Sequence, residues 1–524
     1  MMHDMDVCFE IQCIPGKGRG LVSTRDIPPG TLILQQSPFA AAVHPKFLSK
    51  VCSTCFRENR TGIASVAHPF KRCSGCSVLH YCSQECQRKD WIAFHKLECP
   101  LFRKETEVVI TQGVKTFTDA SPLQSAQFRL HIRVFIRRVL DPDAYSAMEE
   151  LHDGAHYSEI LTQEISWWLR SIRMVMPPHL LPKKERDLFT MMKRTVVNCW
   201  MIKSDSDGVL IGKAIYPPPK SWINHACLPN IVDPTSKDQI RIVAIKPIQK
   251  GEEITSCYVE SHWPVHVAHA HLLANNGFTC TCDQHQATSD DLREPWRCQR
   301  HCVAVVDELD SEWNIPGKAY THHTTDTKVG FKCHHCAHTW FMPMTEFMNV
   351  VQKRALLKAD MDQETLMLPS IVPYGFRGKP SKLVLKMLAQ RCTELEFFLQ
   401  YFHPAHWMVF ELARPIADAY LFLQDTQAMI KYKRILLMAQ LGLYETRISP
   451  GYIHTWYHTV KAELSIKLGG EQGMKKRIAD CDRILPMIET TYGKDSEMYY
   501  KVSMFRHALV NVDYSENSGV FWMD

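Results

Sequence analysis

Cysteine spacing constrains this chain more than any other feature, because most of its 20 cysteines stand in tight clusters. The first cluster, residues 52–99, contains four pairs of soft ligands spaced C-x2-C, C-x2-C, C-x3-C and H-x3-C. Eight such ligands suit two tetrahedral zinc ions. Because the segment is too short to bury an apolar core of its own, we expect metal to hold it together. The eight ligands are Cys52, Cys55, Cys73, Cys76, Cys82, Cys86, His95 and Cys99.

The expected compartment explains why these cysteines are interpreted as metal ligands and not as disulfides. The N-terminus, MMHDMDVCFEIQC, is acidic and lacks an apolar h-region, so we expect no secretory signal. No run approaches the ~18 consecutive apolar residues of a membrane span, so no membrane partner is expected. We therefore expect a protein of the cytoplasm and nucleus, where reducing conditions favour clustered cysteines as metal ligands.

A second metal region lies further along the chain, at residues 298–336. Its two pairs, C-x3-C and C-x2-C, predict a structural four-cysteine site of the zinc-ribbon type. Three histidines that stand among these cysteines remain possible alternative ligands of the same metal ion. Trp296 and Trp340 bracket the ribbon and are expected to pack on it. The predicted ligands are Cys298, Cys302, Cys333 and Cys336.

Hydrophobic patterning divides the rest of the chain into a strand-rich half and a helical half. Short runs bounded by turn residues predict strands around residues 20–36 and over 208–259. Residues 127–140 carry apolar side chains at helical spacing, which predicts a core-packing helix with a cationic outer face. A further helix is predicted over 83–99, with Ser83 as its N-cap. Beyond about residue 345 the pattern predicts antiparallel helix pairs, like a tetratricopeptide stack without a strict repeat.

Four motifs in the strand-rich half resemble those of a SET domain with its post-SET segment. They are KGRGL from residue 17, NHACLPN from 224, EEITSCY from 252 and GFTCTC from 277. The cysteine cluster at 52–99 resembles a MYND zinc finger. A SET domain split by a MYND finger is the architecture of the SET and MYND domain-containing (SMYD) protein lysine methyltransferases. The chain resembles this family over residues ~8–285.

The resemblance implies how the ligands divide among about four zinc ions. In the finger the two sites interleave, with Cys52, Cys55, Cys82 and Cys86 on one ion and Cys73, Cys76, His95 and Cys99 on the other. The post-SET segment supplies Cys280, Cys282 and His285. These three lack a fourth ligand, and Cys227 of the NHACLPN motif is expected to provide it.

The same resemblance implies S-adenosylmethionine as the cofactor. The glycine-rich turn at residues 17–19 would bind it largely through backbone groups, and two asparagines would reach its polar groups. Glu150 and His152 match an element that binds the ribose or the amino group of the cofactor. An equally supported alternative is that both residues lie on a solvent-exposed face. The expected cofactor-binding residues are Lys17, Gly18, Arg19, Glu150, His152, Asn198, Asn224, His225, Tyr258 and Phe278.

Lysine methylation requires a neutral amine, whereas a free lysine has a pKa of about 10.4. A narrow aromatic channel would desolvate the amine and align it with the methyl group. Tyr258 stands where the family has its catalytic tyrosine and is expected to orient the amine through its hydroxyl; a core tyrosine at a strand end is the alternative. Phe278 resembles the post-SET aromatic, but Asn276-Gly277 replaces a second channel aromatic. This departure leaves the channel shape and the number of transferred methyl groups open.

Three classes of function compete. The combined motifs favour a protein-lysine N-methyltransferase that acts on histone or non-histone proteins. The missing channel aromatic favours a catalytically weak or inactive scaffold that binds protein partners through the finger and the helical domain. A proline-rich peptide is a candidate ligand of the finger. The third class, a zinc-finger protein that contacts DNA, has little support, because the formal charge of +5 falls to about −1 once zinc-bound thiolates are counted.

We expect an α+β multidomain fold in which the finger splits a β-rich SET fold. The predicted segments are 1–48 (N-terminal part of SET), 49–99 (MYND finger), 100–195 (helical insert), 196–262 (SET core), 263–290 (post-SET), 291–342 (zinc-ribbon-like insert) and 343–524 (C-terminal helical, TPR-like domain).

Overall fold

The protein is described by a computed structural model that divides into two compact units. Unit 1 comprises Met1–Val259, Ala268–Cys280 and Arg477–Asp524, and unit 2 comprises Glu260–Val267 and Thr281–Lys476. The residues described are 7–59, 70–111, 125–152, 159–204, 208–236, 238–260, 262–282, 293–300, 302, 318–371, 382–444, 450–465 and 470–511.

Short strands and longer helices alternate along the chain, and the predicted α+β class is confirmed. The strands are β1 (Phe9–Ile14), β2 (Gly18–Ser23), β3 (Leu32–Gln36), β4 (Ala40–Val43), β5 (Lys71–Arg72), β6 (His80–Tyr81), β7 (Cys199–Lys203), β8 (Leu210–Ile215), β9 (Asn224–His225), β10 (Ile231–Val232), β11 (Thr235–Ser236), β12 (Gln239–Ala244), β13 (Glu253–Ser256), β14 (Trp296–Arg297), β15 (Lys318–Thr324), β16 (Lys328–Cys333) and β17 (Thr339–Pro343). The helices are α1 (Gln84–Asp90), α2 (Lys96–Thr111), α3 (Ala126–Leu140), α4 (Pro142–Glu149), α5 (Glu159–Val175), α6 (Glu185–Val197), α7 (Val265–Asn276), α8 (Met344–Ile371), α9 (Lys382–Tyr401), α10 (Trp407–Phe422), α11 (Thr426–Tyr444), α12 (Pro450–Ser465), α13 (Gly470–Tyr492) and α14 (Glu497–Asn511).

One sheet of unit 1 brings three sequence motifs together. Its strand order is β1–β2–β13–β9, with β13 antiparallel to β2 and parallel to β9. In the parallel pair, Asn224 lies opposite Thr255 and His225 lies opposite Ser256. The central position of β13 therefore places the NHACLPN and KGRGL motifs on either side of EEITSCY, although the chain separates them by about 200 residues.

The helix predicted over 83–99 begins as expected but is not regular throughout. The Ser83 hydroxyl accepts a hydrogen bond from the Cys86 amide at 3.1 Å, which caps α1. The five residues Trp91–His95 then form a π-helical turn before α2. Such a turn inserts an extra residue into the helical repeat and rotates the side chains that follow it. His95 stands at the end of this turn.

The cationic outer face predicted for α3 is wrong. Residues 126–136 are all buried, including Arg129, His131 and Arg133. Strands β4 and β8, helices α5 and α6 and the π-helical turn of the finger all contact α3. Basic residues at helical spacing indicate a solvated face only when no other segment covers them. In this protein the finger covers Arg133 and supplies carboxylates to it, as described below, whereas His131 lies beside Trp168 of α5.

Unit 2 consists of the ribbon sheet and consecutive packed helices. The sheet has the order β14–β15–β16–β17, and its core contains Trp296, Phe331 and Trp340. Phe331 lies between the two tryptophans, with ring centroids 4.8 Å from Trp296 and 5.3 Å from Trp340. Helices α9 to α12 pack each against the next. None of the helices in the described ranges has the length and apolar content needed to cross a membrane.

Candidate active site and metal centres

Three groups of four side chains have their ligand atoms within 4.8 Å of one another. Four thiolate or imidazole ligands at this spacing fit a tetrahedral zinc ion. Two groups lie in the finger and divide its ligands in the interleaved way that the family resemblance implies. The groups are Cys52, Cys55, Cys82 and Cys86; Cys73, Cys76, His95 and Cys99; and, in unit 2, Cys298, Cys302, Cys333 and Cys336.

In the second finger site, His95 has the geometry of a metal ligand. Its Nε2 atom lies 3.3 Å from Cys73 Sγ and 3.5 Å from Cys76 Sγ. Its other ring nitrogen, Nδ1, faces the Glu98 carboxylate at 3.5 Å. A histidine that ligates a metal usually donates its second N–H to such a carboxylate. The nearby Glu98 carboxylate therefore favours a hydrogen on Nδ1, which leaves Nε2 to bind zinc.

Glu98 is held in turn by Arg133 of helix α3. The Arg133 guanidinium donates to both Glu98 oxygens, at 2.9 and 3.1 Å, and lies 3.1 Å from Asp90. The Tyr81 hydroxyl donates to Asp90 at 2.8 Å. Burial raises the pKa of Glu98, but Arg133 and His95 outweigh it and hold that pKa at about 2. A fully buried charge network thus joins the finger to the helical insert.

A fourth group, of three candidate ligands, consists of His225, Cys227 and Cys280, again within 4.8 Å of one another. Cys227 of the NHACLPN motif and the post-SET Cys280 are 53 positions apart in the chain, and the structure brings them together. Cys282 belongs to unit 2, and His285 lies outside the described residues. The participation of these two in a zinc site stays a prediction.

The glycine-rich turn and Asn224 meet at the carboxylate of Glu253. Lys17 Nζ lies 2.6 Å from Glu253 Oε2, and Asn224 Nδ2 donates to Glu253 Oε1 at 2.8 Å. Asn224 also donates to the Arg19 carbonyl at 3.1 Å. A Cβ atom on Gly20 would lie 2.6 Å from Ile14 and 2.9 Å from Asn224 Nδ2, so a glycine is required at this position.

The turn after α4 lies beside the same residues. Glu150 forms an ion pair with Arg19, and the His152 carbonyl accepts a hydrogen bond from Asn198 Nδ2 at 2.9 Å. Asn198 Nδ2 also donates to the Arg194 carbonyl at 2.8 Å. Because Asn198 and Asn224 both use their amide nitrogens on neighbouring acceptors, their amide oxygens can accept from a ligand. Acceptor oxygens of this kind are chemically suited to an ammonium group.

Tyr258 stands at the centre of an aromatic cluster. Its ring centroid lies 5.6 Å from Trp200, 5.5 Å from His225 and 6.2 Å from Phe278. Its hydroxyl donates to the Ile223 carbonyl at 2.6 Å. Because this contact uses the only hydroxyl hydrogen, the phenolic oxygen can only accept a further hydrogen bond.

The charge state of Tyr258 follows from its surroundings. Burial raises the pKa of the Tyr258 hydroxyl, and the negative charges of Asp233 and Glu253 raise it further. The hydroxyl therefore stays protonated at neutral pH and does not act as a general base.

Several residues of this region were not among the sequence predictions. Glu253 lies within the EEITSCY motif, and Trp200 follows Asn198 by two positions. Both could therefore have been predicted, because they are close in sequence to predicted site residues. Lys220 gave no such signal, because lysines are rarely buried. Its side chain is fully buried, with Nζ 3.2 Å from Asp233 Oδ2 and 3.2 Å from the Trp200 ring centroid. Trp200 is thus covered by an ammonium group on one side and meets the Tyr258 ring edge-on.

Comparison with known proteins adds independent findings. Residues 18–259 match the SET domain family model, a range that includes both groups of SET strands and the finger between them. Histone-lysine N-methyltransferase ASHR1 of Arabidopsis thaliana is 26% identical over 56% of this chain and 59% of its own length. SET domain and MYND-type zinc finger protein 6 of Schizosaccharomyces pombe is 26% identical over 51% of this chain and 50% of its own length.

More distant similarities agree with these. Human histone-lysine N-methyltransferase SMYD3 is 23% identical over 57% of this chain and 67% of its own length. The chain spans 50% to 59% of the length of the first relatives it matches. The solved SET domain of LSMT bound to lysine and AdoHcy aligns with 97% of this chain and 88% of that chain at 11% identity. Its TM-score of 0.25 is too low to support a comparison of folds.

Proposed function

We propose, from the membership of this chain in the SET and MYND domain-containing protein family, that it is an S-adenosylmethionine-dependent protein-lysine N-methyltransferase. The observation that carries the proposal is the meeting of four motifs in unit 1. The glycine-rich turn, Asn224, Tyr258 and Phe278 come from distant segments, yet they lie around one sheet and one aromatic cluster. Relatives named as lysine methyltransferases support the same reaction class.

The cofactor residues we propose are those around Glu253 and the turn after α4. The amide oxygens of Asn198 and Asn224 are acceptors suited to an ammonium group, and Lys17 and Arg19 offer positive charge to a carboxylate. The methionine end of S-adenosylmethionine carries both groups, and the bound cofactor supplies an electrophilic methyl group on sulfur. Binding would exchange the present ion pairs of Lys17 and Arg19 for contacts with that carboxylate.

The substrate lysine must arrive as a neutral amine, and the aromatic cluster favours that form. The rings of Trp200, Tyr258 and Phe278 would present apolar walls to the bound amine, and apolar surroundings disfavour the ammonium ion. The Tyr258 oxygen, whose hydrogen is used on Ile223, accepts a hydrogen bond from the amine and directs its lone pair. Orientation of this kind accounts for much of the rate gain in a direct displacement.

A catalytically weak scaffold is the second candidate, and one observation favours it. Helix α7 ends at Asn276, and Gly277 follows it with a φ of 73°. This is the left-handed conformation that commonly ends helices and that favours glycine. An aromatic side chain in place of Gly277 would be strained, so the channel lacks that wall for a structural reason. The proposals of protein partners, of a proline-rich peptide at the finger and of a cytoplasmic and nuclear location apply to either candidate.

The deciding experiment combines two measurements on the full chain. Calorimetry would measure S-adenosylmethionine binding, and transfer of a labelled methyl group to a protein or peptide array would measure catalysis. Binding with transfer is the expected result. Binding without transfer would favour the scaffold, and the absence of both would overturn the enzyme assignment.

A further inference from the structure

Lys220 is fully buried beside the aromatic cluster, although the proposed reaction gives it no task. Its Nζ atom lies 3.2 Å from the centroid of the Trp200 ring and 3.2 Å from Asp233 Oδ2. We infer that Lys220 is a positioning residue whose ammonium group holds the Trp200 ring as a wall of the site that binds the substrate amine. The role of that wall rests on the proposed function, whereas the contact between the two side chains does not.

The contact between Lys220 and Trp200 is a cation–π interaction. An ammonium group within about 6 Å of an indole centroid is attracted to the ring, and the attraction grows when water is excluded. Lys220 is 0% exposed, so solvent does not screen its charge from the ring. Trp200 itself is only partly buried, so packing covers only part of its ring. The ammonium group adds a contact that depends on the position of that ring.

Asp233 fixes the other side of the ammonium group. The same Asp233 oxygen that faces Lys220 accepts a hydrogen bond from the Ser256 hydroxyl at 2.8 Å. Ser256 is the last residue of β13 and precedes Tyr258 by two positions. The anchor of Lys220 is therefore attached to the strand that leads to Tyr258.

The backbone of Lys220 is tied to Tyr258 by a second route. Lys220 begins a single 3₁₀ turn, and its carbonyl accepts a hydrogen bond from the Ile223 N–H at 3.1 Å. The Ile223 carbonyl in turn accepts the hydrogen of the Tyr258 hydroxyl at 2.6 Å. One residue thus contacts Trp200 through its side chain and supports the acceptor of Tyr258 through its backbone.

A core ion pair with Asp233 is the alternative role of Lys220, and its cost argues against that role. Burial lowers the pKa of Lys220 to about 8, and the charge of Asp233 offsets only part of this effect. The ammonium group therefore destabilises the fold, whereas a buried apolar side chain of similar length would not. A buried charge kept at a cost in stability is typical of a functional site.

The surroundings of Lys220 allow its charge to be followed by pH. Among the described residues, Asp233 is the group whose charge acts on the pKa of Lys220. Trp200 of β7 and Gln36 of β3, which accepts from the Lys220 backbone N–H, are uncharged. Burial raises the pKa of the Tyr216 and Tyr258 hydroxyls, so neither loses its proton in the range where Lys220 does.

The first test follows the emission of Trp200, measured as the difference between the wild type and Trp200→Phe. An ammonium group this close to an indole alters its emission, and a neutral amine does not carry the charge that does so. We expect the Trp200 emission to change with a midpoint near pH 8 and Lys220→Met to abolish the change. The absence of a change between about pH 7 and 9 in the wild type would overturn the inference.

Lys213→Met is the matched control for both tests. Lys213 is a partly buried lysine of β8 whose Nζ donates to Gln127 Oε1 at 2.9 Å. This variant should keep the emission change of Trp200 and the wild-type rate of methyl transfer. Loss of the emission change in Lys213→Met as well as in Lys220→Met would contradict the specific role of Lys220.

The second test measures methyl transfer to the array peptide that the wild type methylates most strongly. Near pH 7 we expect Lys220→Met to lower kcat about 10-fold, because a small displacement of a positioning group slows the reaction. Deprotonation of the peptide amine affects both proteins alike, so the ratio of their rates is compared. This ratio should approach one as the pH rises through about 8, where the wild type also loses its charge.

A ratio that does not change with pH would show that Lys220 acts through packing alone and would overturn the positioning role. Absence of transfer by the wild type would instead overturn the proposed function. The emission of Trp200 still decides whether Lys220 holds that ring. Failure of this inference and failure of the proposed function are therefore distinguishable.

Discussion

At the scale of single residues, hydrogen-bond polarity decides what the site can do. Tyr258 gives its only hydroxyl hydrogen to Ile223 and is left as an acceptor, and Lys220 is buried against the ring that meets Tyr258 edge-on. Composition and spacing do not show either interaction, because the partner of each side chain comes from another segment.

Tyr258→Phe keeps the ring and removes the oxygen that orients the amine. We expect methyl transfer to fall by about 100-fold or more, within the range found for groups that contact the reacting atoms. Cofactor affinity should change little, because the ring contacts with Trp200 and Phe278 persist. Single-turnover transfer and calorimetry would measure the two effects. An unchanged rate would contradict the role given to the hydroxyl.

Lys220→Met tests the cost of the buried ammonium group. Burial lowers the pKa of Lys220 from 10.5 to about 8, a difference that corresponds to roughly 3 kcal/mol. Between these pH values the unfolded chain holds more protons than the folded one, so wild-type stability rises with pH across this window. Because this shift already includes the attraction to Asp233, we expect the variant to be more stable than the wild type near pH 7 by up to about that amount.

The pH dependence provides the check on Lys220→Met. The advantage of the variant should shrink as the pH rises from about 8 towards 10.5, because the wild-type side chain then becomes neutral in both states. Urea unfolding of both proteins at several pH values would measure it. A difference that stays constant over this range would show that lost packing, not charge, controls the effect.

At the scale of elements, the finger and helix α3 form one buried unit. The cysteines of the finger and the apolar face of α3 belong to the same core. Besides the predicted metal, packing against α3 therefore supports the finger, which the sequence did not predict because local spacing does not show which distant helix covers it. The Ser83 cap was predictable, since a cap depends on neighbours within one turn.

Arg133→Met would leave Glu98 and Asp90 buried without their cation. We expect a loss of about 3–5 kcal/mol in the free energy of unfolding. We also expect faster zinc release to a chelator, because Glu98 would no longer be held against His95. Denaturant unfolding and chelator kinetics would measure the two effects.

The matched control is Arg173→Met on α5, which removes an ion pair with Glu185 whose partners are both more than a third exposed. Its expected cost is about 0–1 kcal/mol. Equal losses in Arg173→Met and Arg133→Met would argue against the network.

Acid should weaken the same network. The pKa of Glu98 is held at about 2, below the ordinary value of 4.5, so its contribution is fully present above pH 4.5. It is lost as the pH falls from about 4.5 towards 2. We expect Glu98→Gln to reduce this part of the acid dependence. Stability curves of both proteins between these pH values would test it, and identical acid slopes would contradict it.

At the scale of the whole molecule, zinc content is the measurable quantity. We expect elemental analysis to find about four ions per chain, each in a site with four ligands. A value near three would remove either the ribbon site or the post-SET site of Cys227 and Cys280. The same analysis of Cys298→Ser and of Cys227→Ser would then show which site is missing, since each substitution removes one ion only from a site that exists.

The sequence by itself determined the pairs of finger and ribbon ligands and the α+β class, because each follows from spacing along one stretch of chain. The tertiary structure alone decided that α3 is covered, that Lys220 is buried and that the Tyr258 hydroxyl donates to the Ile223 carbonyl. These properties depend on burial and on hydrogen-bond partners from distant segments. The pairing of β13 with both β2 and β9 brings several of those segments together.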